Sequence, residues 1–392
     1  MKRRCHMSDA RIKTRTRCRI ELCLAVVCFA AMLFDTANGQ DQPFMGAYLN
    51  IPQLFDEEAD IPDRERSIEQ QLDRFKASRL HVVMPYVTTT SGSAMYPSEI
   101  IPSTQYPDWD PLRVIVRGAR ARGLRIYPVM CVLACGKLEP KGILEQHPDW
   151  ALRDHNGRPI GHISPCHPKA RTWVVSVMKE IVQKYKPDGM LLDYLRFNNR
   201  PMQLDPHGAA ELAKQFGVAA DAVKPHQLQQ FKEGCLTELM RAISVELRQQ
   251  QPGIKLAIYS WGPHVTQNHR VAQDWPAWAR NNYIDMVNVS GYCYPKNYGD
   301  RYLQVFEDRI RGALDINRKL DRPIDVTLCL GIKTSHGQIS EAADIDAYLK
   351  IAKRLGVDGT AVFTWSYLQP YLDNVTQAGY FVEFEEGLTS QR

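Results

Sequence analysis

The chain has 392 residues, of which 44% are hydrophobic and 24% charged, with a formal net charge of +5. That length supports a large core, and the mix is ordinary for a globular protein, which excludes collagen-like, low-complexity and long disordered architectures. The positive charge sits at the N-terminus: residues 1–39 carry eight Lys/Arg against three Asp/Glu, which leaves 41 of each sign in the remainder and no basic footprint for nucleic acid or anionic lipid.

In chain order, residues 1–39 read as an export signal. Basic residues run from Lys2 to Arg19, an apolar stretch follows from Leu22 to Phe34, and Ala37-Asn38-Gly39 supply small residues before Gln40. The apolar stretch is about 13 residues, short for a membrane span, so no stable membrane insertion is expected after cleavage. An uncleaved anchor is the competing reading. The expected location is exported: periplasmic, cell-surface or secreted. Export permits disulfides. Of the six cysteines beyond the leader, Cys131, Cys293 and Cys329 lie in apolar runs that read as buried thiols. Cys135 and Cys166, in loop-like sequence, make the best pair.

Residues 40–392 read as one domain. Short β-branched or aromatic runs occur at Phe44–Asn50, Leu80–Val87, Leu124–Leu133, Gly189–Tyr194, Ile254–Trp261, Met286–Tyr292, Ile324–Ile332 and Thr360–Trp365, bounded by Gly, Pro or Asp. Helical spacing falls between them. Ile68, Leu72 and Phe75 share a face, as do Leu112, Ile115, Val116 and Ala119, and as do Leu236, Leu239, Met240, Ile243 and Leu247. Eight strands alternating with helices require parallel pairing through crossovers, so the expected fold is an α/β (β/α)₈ TIM barrel. An open doubly wound sheet is second, and the first strand lacks its GxGxxG turn. The connections after strands 2, 3 and 4 (Thr88–Asp110, Ala134–Pro168 and Arg196–Gln227) are long, and on a TIM barrel such loops build the active-site face.

The most informative stretch is Pro187-Asp188-Gly189-Met190-Leu191-Leu192-Asp193-Tyr194-Leu195-Arg196-Phe197. Alternation puts Gly189, Leu191 and Asp193 on one face, with Asp193 last, at the C-terminal end. A carboxylate closing an apolar strand is costly unless it is paired or used. It is either functional or the ion-pair partner of Arg196. Asp188, at the opposite end, reads as a turn residue. Aromatics gather at the predicted strand ends (Tyr48, Tyr86, Tyr127, Trp261, Tyr292 and Trp365 among them) and suit the flat faces of neutral sugar rings. The third loop carries His147, His155, His162 and His167, whose spacing matches no metal-ligand pattern; one or two are expected to hydrogen-bond substrate. No cofactor is implied.

The segment Asp-Gly-Met-Leu-Leu-Asp-Tyr-Leu-Arg-Phe at 188–197 resembles the fourth-strand signature of the glycosyl-hydrolase-like 10 family. Met95-Tyr96-Pro97-Ser98, Ala119 to Leu124, His147-Pro148-Asp149-Trp150, Ile284 to Val287 and Gly291-Tyr292 resemble further family segments in the same order. The resemblance covers most of residues 44–367. It implies a TIM barrel, hydrolysis of glycosidic bonds in a poly- or oligosaccharide, and Asp193 as nucleophile or base. Two departures stand out: Phe197-Asn198-Asn199-Arg200 precedes Pro201, and Ser290-Gly291 replace a glutamine at the end of strand six. Glycoside hydrolysis calls for a second carboxyl, yet strands five to eight end without an acid. The leading candidates are Asp154 in the third loop and Glu99 in the second. Arg196 is expected to orient Asp193 and hold its pKa low. A barrel that binds carbohydrate without cleaving it is the rival reading.

Overall fold

A computed structural model describes residues 42–266 and 269–390. The predicted leader, 1–39, lies outside the described residues. Eight parallel strands form the centre: β1 (Phe44–Leu49), β2 (Val82–Pro85), β3 (Arg125–Ile126 continued by Val129–Cys131), β4 (Gly189–Asp193), β5 (Lys255–Ser260), β6 (Met286–Ser290), β7 (Asp325–Gly331) and β8 (Gly359–Phe363). Each lies within the range read from the sequence or one residue beyond it.

The sheet closes through β3. Its first segment pairs with β2 and its second with β4, while β1 joins β2 to β8 and the ladder runs on through β7, β6 and β5 to β4. Pro128, which has no N–H to donate, interrupts β3. The flanking bonds persist: Tyr127 N–H donates to Val83 O at 2.9 Å, Leu191 N–H to Pro128 O at 3.0 Å, and Val87 N–H to Val129 O at 2.9 Å. Closure removes the sheet edges, which would otherwise expose unpaired backbone.

Helices between the strands bury the faces that the spacing indicated. In α1 (Ile61–Ala77) these are Ile68, Leu72 and Phe75; α2 (Pro111–Ala121) buries Leu112, Ile115, Val116 and Ala119. Asp60 and Asp110 cap the two helices, each accepting a bond from the N–H three residues on, with proline in the first turn. Pro168–Tyr185 (α3), Pro225–Gln250 (α4), Trp275–Arg280 (α5), Tyr302–Asn317 (α6) and Ala342–Leu355 (α7) continue the ring.

Strand alternation divides the barrel into two apolar zones. Phe44, Tyr48, Val82, Met84, Tyr127, Val129, Leu191, Ala257, Met286, Cys329 and Ala361 fill the inside, while the intervening residues pack outward against the helices. The lower interior is tight. Phe44 and Tyr127 meet edge to face with centroids 5.3 Å apart. Gly189 has to be glycine because a Cβ there would lie 2.4 Å from the Tyr127 ring. Three aspartates fasten this end: Asp188 accepts from Ile126 N–H at 2.8 Å, Asp285 from Leu256 N–H at 2.9 Å, and Asp358 from Val326 N–H at 2.8 Å. Each precedes an even-numbered strand and clasps the odd-numbered strand before it.

All six described cysteines are free thiols, so Cys135 and Cys166 are not bonded to each other. Cys135 instead donates to Lys141 O at 3.0 Å, and the neighbouring thiol of Cys166 is Cys235 on α4. Sequence distance and loop character do not fix which thiols a fold brings together.

Candidate active site

Above the packed interior, on the C-terminal side of the strands, the barrel opens into a cavity of about 810 Å³. Strand ends and the loops after them form its wall. Asp193 closes β4 and points inward, as the alternation with Gly189 and Leu191 requires. One oxygen accepts from Tyr194 N–H at 2.7 Å and the other from the Tyr86 hydroxyl at 2.9 Å. Tyr194 has φ 54°, a left-handed conformation uncommon for a large side chain, and this sharp turn aims its N–H back at the carboxylate. Among the lining residues Asp193 is the one carboxylate.

Burial pushes the Asp193 carboxyl above its usual range. The positive charge of Arg196 and the two hydrogen bonds pull the other way and lose. This corrects the expectation that Arg196 holds the carboxyl low. Within 4.0 Å the two make no ion pair; the Arg196 guanidinium lies instead over Trp261, 4.4 Å from the ring centroid, and 5.0 Å from that of Tyr194. The cation stacks on these rings rather than pairing directly with the carboxylate, and its charge only partly offsets desolvation.

An aromatic belt surrounds Asp193. Tyr48 stacks on Tyr86 at 5.8 Å and meets Phe363 at 5.4 Å; Phe363 contacts Tyr292 at 5.7 Å, and Tyr292 contacts Tyr259 at 5.9 Å. Burial, first of all, drives the hydroxyls of Tyr48, Tyr86, Tyr259 and Tyr292 upward, so they stay protonated donors. Tyr48 donates across the barrel to Asn288 Oδ1 at 2.8 Å, and Asn288 Nδ2 donates to Thr327 Oγ1 at 2.8 Å.

Of the residues singled out in the sequence, Asp193, Arg196, Tyr48, Tyr86, Trp261 and Tyr292 converge on this cavity. Four others do not line it. Tyr127 belongs to the packed lower interior. Trp365 is buried behind β8, donating to Gln71 Oε1 at 3.0 Å and packing on Phe75, because its strand has ended and the chain has already turned into a short helix. Asp154 sits in an exposed turn where its carboxylate accepts from the N–H groups of Asn156 and Arg158. Glu99 extends into solvent, 83% exposed, 3.1 Å from Lys184 of α3. Its neighbour Glu180 is the carboxylate that anchors this loop, accepting from Tyr96, Ser98 and the Glu99 N–H.

The third-loop histidines do not line the cavity either. His162 is buried against the Arg196 carbonyl at 3.0 Å, with its pKa pushed down to about 3 by burial and by Arg196. His147 and His167 flank Trp150. Ser290, noted in the sequence as a departure at the end of strand six, also lines it, and several lining residues escaped the sequence reading: Tyr259, His264, Arg309, Tyr298 and His336. Alternation along β5 from Trp261 would have found Tyr259. Arg309 comes from α6 and carries no local signal. No group of three or more His, Cys, Asp or Glu among the described residues is arranged to hold a metal ion.

A closed parallel barrel with its cavity at the C-terminal ends of the strands is the TIM-barrel architecture. Solved structures agree on the fold. The glycoside hydrolase domain of PgaB (BpsB) from Bordetella bronchiseptica superposes with a TM-score of 0.67 at 14% identity, covering 86% of this chain and 99% of that one. The catalytic domain of β-amylase from Paenibacillus polymyxa does so with a TM-score of 0.57 at 10% identity, over 83% and 94% respectively. The chain belongs to the glycosyl hydrolase-like 10 family, whose model matches residues 55–349. It is also similar to the glycosyl hydrolase DigH of Escherichia coli K12, 22% identical over 269 residues, which are 60% of this chain and 58% of that protein. No helix among the described residues is long and apolar enough to cross a membrane.

Proposed function

We propose that the protein hydrolyses glycosidic bonds of a poly- or oligosaccharide in this cavity, with Asp193 as the proton-transferring carboxyl. The observation that carries the reading is the setting of Asp193: the single carboxylate among the described residues lining an aromatic cavity, fixed by two donors and biased by burial toward its protonated form. Such a carboxyl suits protonation of the leaving glycosidic oxygen as the C–O bond breaks. Water then adds to the anomeric carbon and its proton returns to Asp193, which restores the acid. In the usual two-carboxyl scheme a second group attacks or activates water. The tyrosines of the belt remain protonated and can only hydrogen-bond, so attack falls to water or to a group brought by the substrate. Asp193 is therefore read as acid and base rather than nucleophile. Stacking on the belt orients the sugar faces.

The test is release of new reducing ends from a panel of polysaccharides by the purified protein, with Asp193→Asn lowering it by on the order of 10²–10⁴-fold. The absence of a second lining carboxylate favours a second reading, a barrel that binds glycan without cleaving it. Glycan binding with no new reducing ends, equal in wild type and Asp193→Asn, decides for that reading. The basic, apolar and small order of residues 1–39 supports export. N-terminal sequencing of exported protein should begin near Gln40; leader-retaining protein in the soluble cytoplasm overturns this part.

A further inference from the structure

We infer that the β5–β6 side of the cavity is a subsite for an oxyanion substituent of the glycan, a carboxylate or a sulfate, held by Arg196 and Arg309. This rests on reading the cavity as a glycan site, and it departs from the neutral ligand that the sequence suggested.

Arginines elsewhere in the fold show the ordinary pattern. Arg122 pairs with Glu69 and Asp73, Arg248 with Asp285, and Arg354 with Glu307. Arg196 and Arg309 have no carboxylate within 4.0 Å among the described residues. Arg196 reaches only the Phe197 carbonyl, at 3.5 Å, and its buried Nε has no hydrogen-bond partner. Arg309 donates to Ser290 O at 3.2 Å and to the Tyr298 hydroxyl at 3.4 Å, neither of them charged. A half-buried guanidinium with no carboxylate in contact is costly; Asp193 acts on Arg196 only from beyond 4.0 Å, and two such cations beside one cavity suit an anionic ligand.

The two side chains converge on consecutive residues. Arg196 stacks on the Trp261 ring. The stem of Arg309 crosses Gly262, where φ is +129° and a Cβ would lie 2.8 Å from Arg309 Cγ. The glycine is thus what admits the arginine to the rim. A stacked guanidinium leaves its in-plane N–H groups free along the edge, the geometry that meets a planar carboxylate or a sulfate. Against the two arginines the lining offers only Asp193, so the wall carries an excess of positive charge. His264 lines the same cavity, is kept below its usual range by burial and by Arg309, and adds a neutral hydrogen-bonding ring. Tyr259 and Tyr292 lie on the same side and would stack the ring that carries the anion.

The test is binding of the full chain, by affinity electrophoresis at low and high salt, to polygalacturonate, dextran sulfate and uncharged dextran. Wild type should hold one charged polymer at least about tenfold more tightly than dextran, the scale of a charge-assisted hydrogen bond. Whichever charged polymer is preferred assigns carboxylate or sulfate. Arg309→Met keeps the stem over Gly262 and should bring the preferred polymer to the dextran level; Arg309→Lys should retain part of the preference. Circular dichroism melts of both variants check that the fold is intact. Equal binding to dextran, no binding to either charged polymer, or charged-polymer binding untouched in both variants overturns the inference. Anion-selective binding with no cleavage of any polymer sinks the hydrolase reading and leaves the subsite standing. Cleavage of a neutral polymer without anion preference does the reverse.

Discussion

The two ends of the barrel use the same residue type for opposite purposes. At the lower end Asp188, Asp285 and Asp358 spend their carboxylates on backbone N–H groups of neighbouring strands. At the upper end Asp193 also has two donors, but it stands inside the barrel mouth, where burial outweighs them and pushes its pKa up. Hydrogen bonding alone therefore does not separate an aspartate that clasps strands from one set inside the cavity. The depth of the group and the company it keeps do, which is why the lower face of a TIM barrel serves stability and the upper face chemistry.

Asp193→Asn should break this contrast most strongly. Hydrolysis should fall by on the order of 10²–10⁴-fold, the contribution of a positioned acid–base group, while the protein melts at the same or a higher temperature. The sign follows from linkage. The folded pKa lies above the ordinary aspartate value, so the stabilising balance is complete below that ordinary value and is lost as pH rises through the folded pKa. The amide escapes that loss at neutral pH. Asp285→Ala should do the opposite. It removes the acceptor for Leu256 N–H and the partner of Arg248 and Arg322, at a cost on the order of 2 kcal/mol. Activity per folded molecule should persist, as denaturant melts paired with initial rates can check.

Two tryptophans carry the same contrast to the aromatics. Trp365→Ala empties a buried site and should cost about 3–5 kcal/mol of stability, with KM unchanged. Trp261→Ala should barely move the melt but weaken glycan binding by about 1 kcal/mol through lost stacking, read as a higher KM. Equal KM effects from the two would show that the cavity extends behind β8.

Tyr86→Phe is subtler. It deletes the hydroxyl that lowers the Asp193 pKa, so that pKa should rise further and the high-pH limb of kcat/KM should move to higher pH, with kcat at the optimum changed less. The smallest effects belong to Glu99→Gln and Asp154→Asn. Both side chains are solvated and away from the cavity, and turnover should match wild type within error.

Much of the fold was legible because its signals are local. The strand runs, the helical faces and the Asp-Gly turn that opens β4 depend on residues a few positions apart, and the eight-unit alternation leaves few ways to pair the strands. The inward aim of Asp193 was legible for the same reason: strand alternation has a period of two, and Gly189 and Leu191 set its phase. Trp365 failed that treatment because β8 stops at Phe363, and alternation says nothing once the chain turns into a helix.

By itself the sequence determined the order of the elements, the faces they bury and the strand end where a carboxylate waits. Only the tertiary structure decided which residues from distant elements share the cavity: Arg309 of α6 beside Trp261, Asn288 of β6 beneath Tyr48, and no second acid from the long loops. It also decided the sense of the Asp193 shift. Burial is a property of everything packed around a group, whereas the nearby Arg196 that suggested a lowered pKa is a neighbour in sequence whose guanidinium the fold stacks on Trp261.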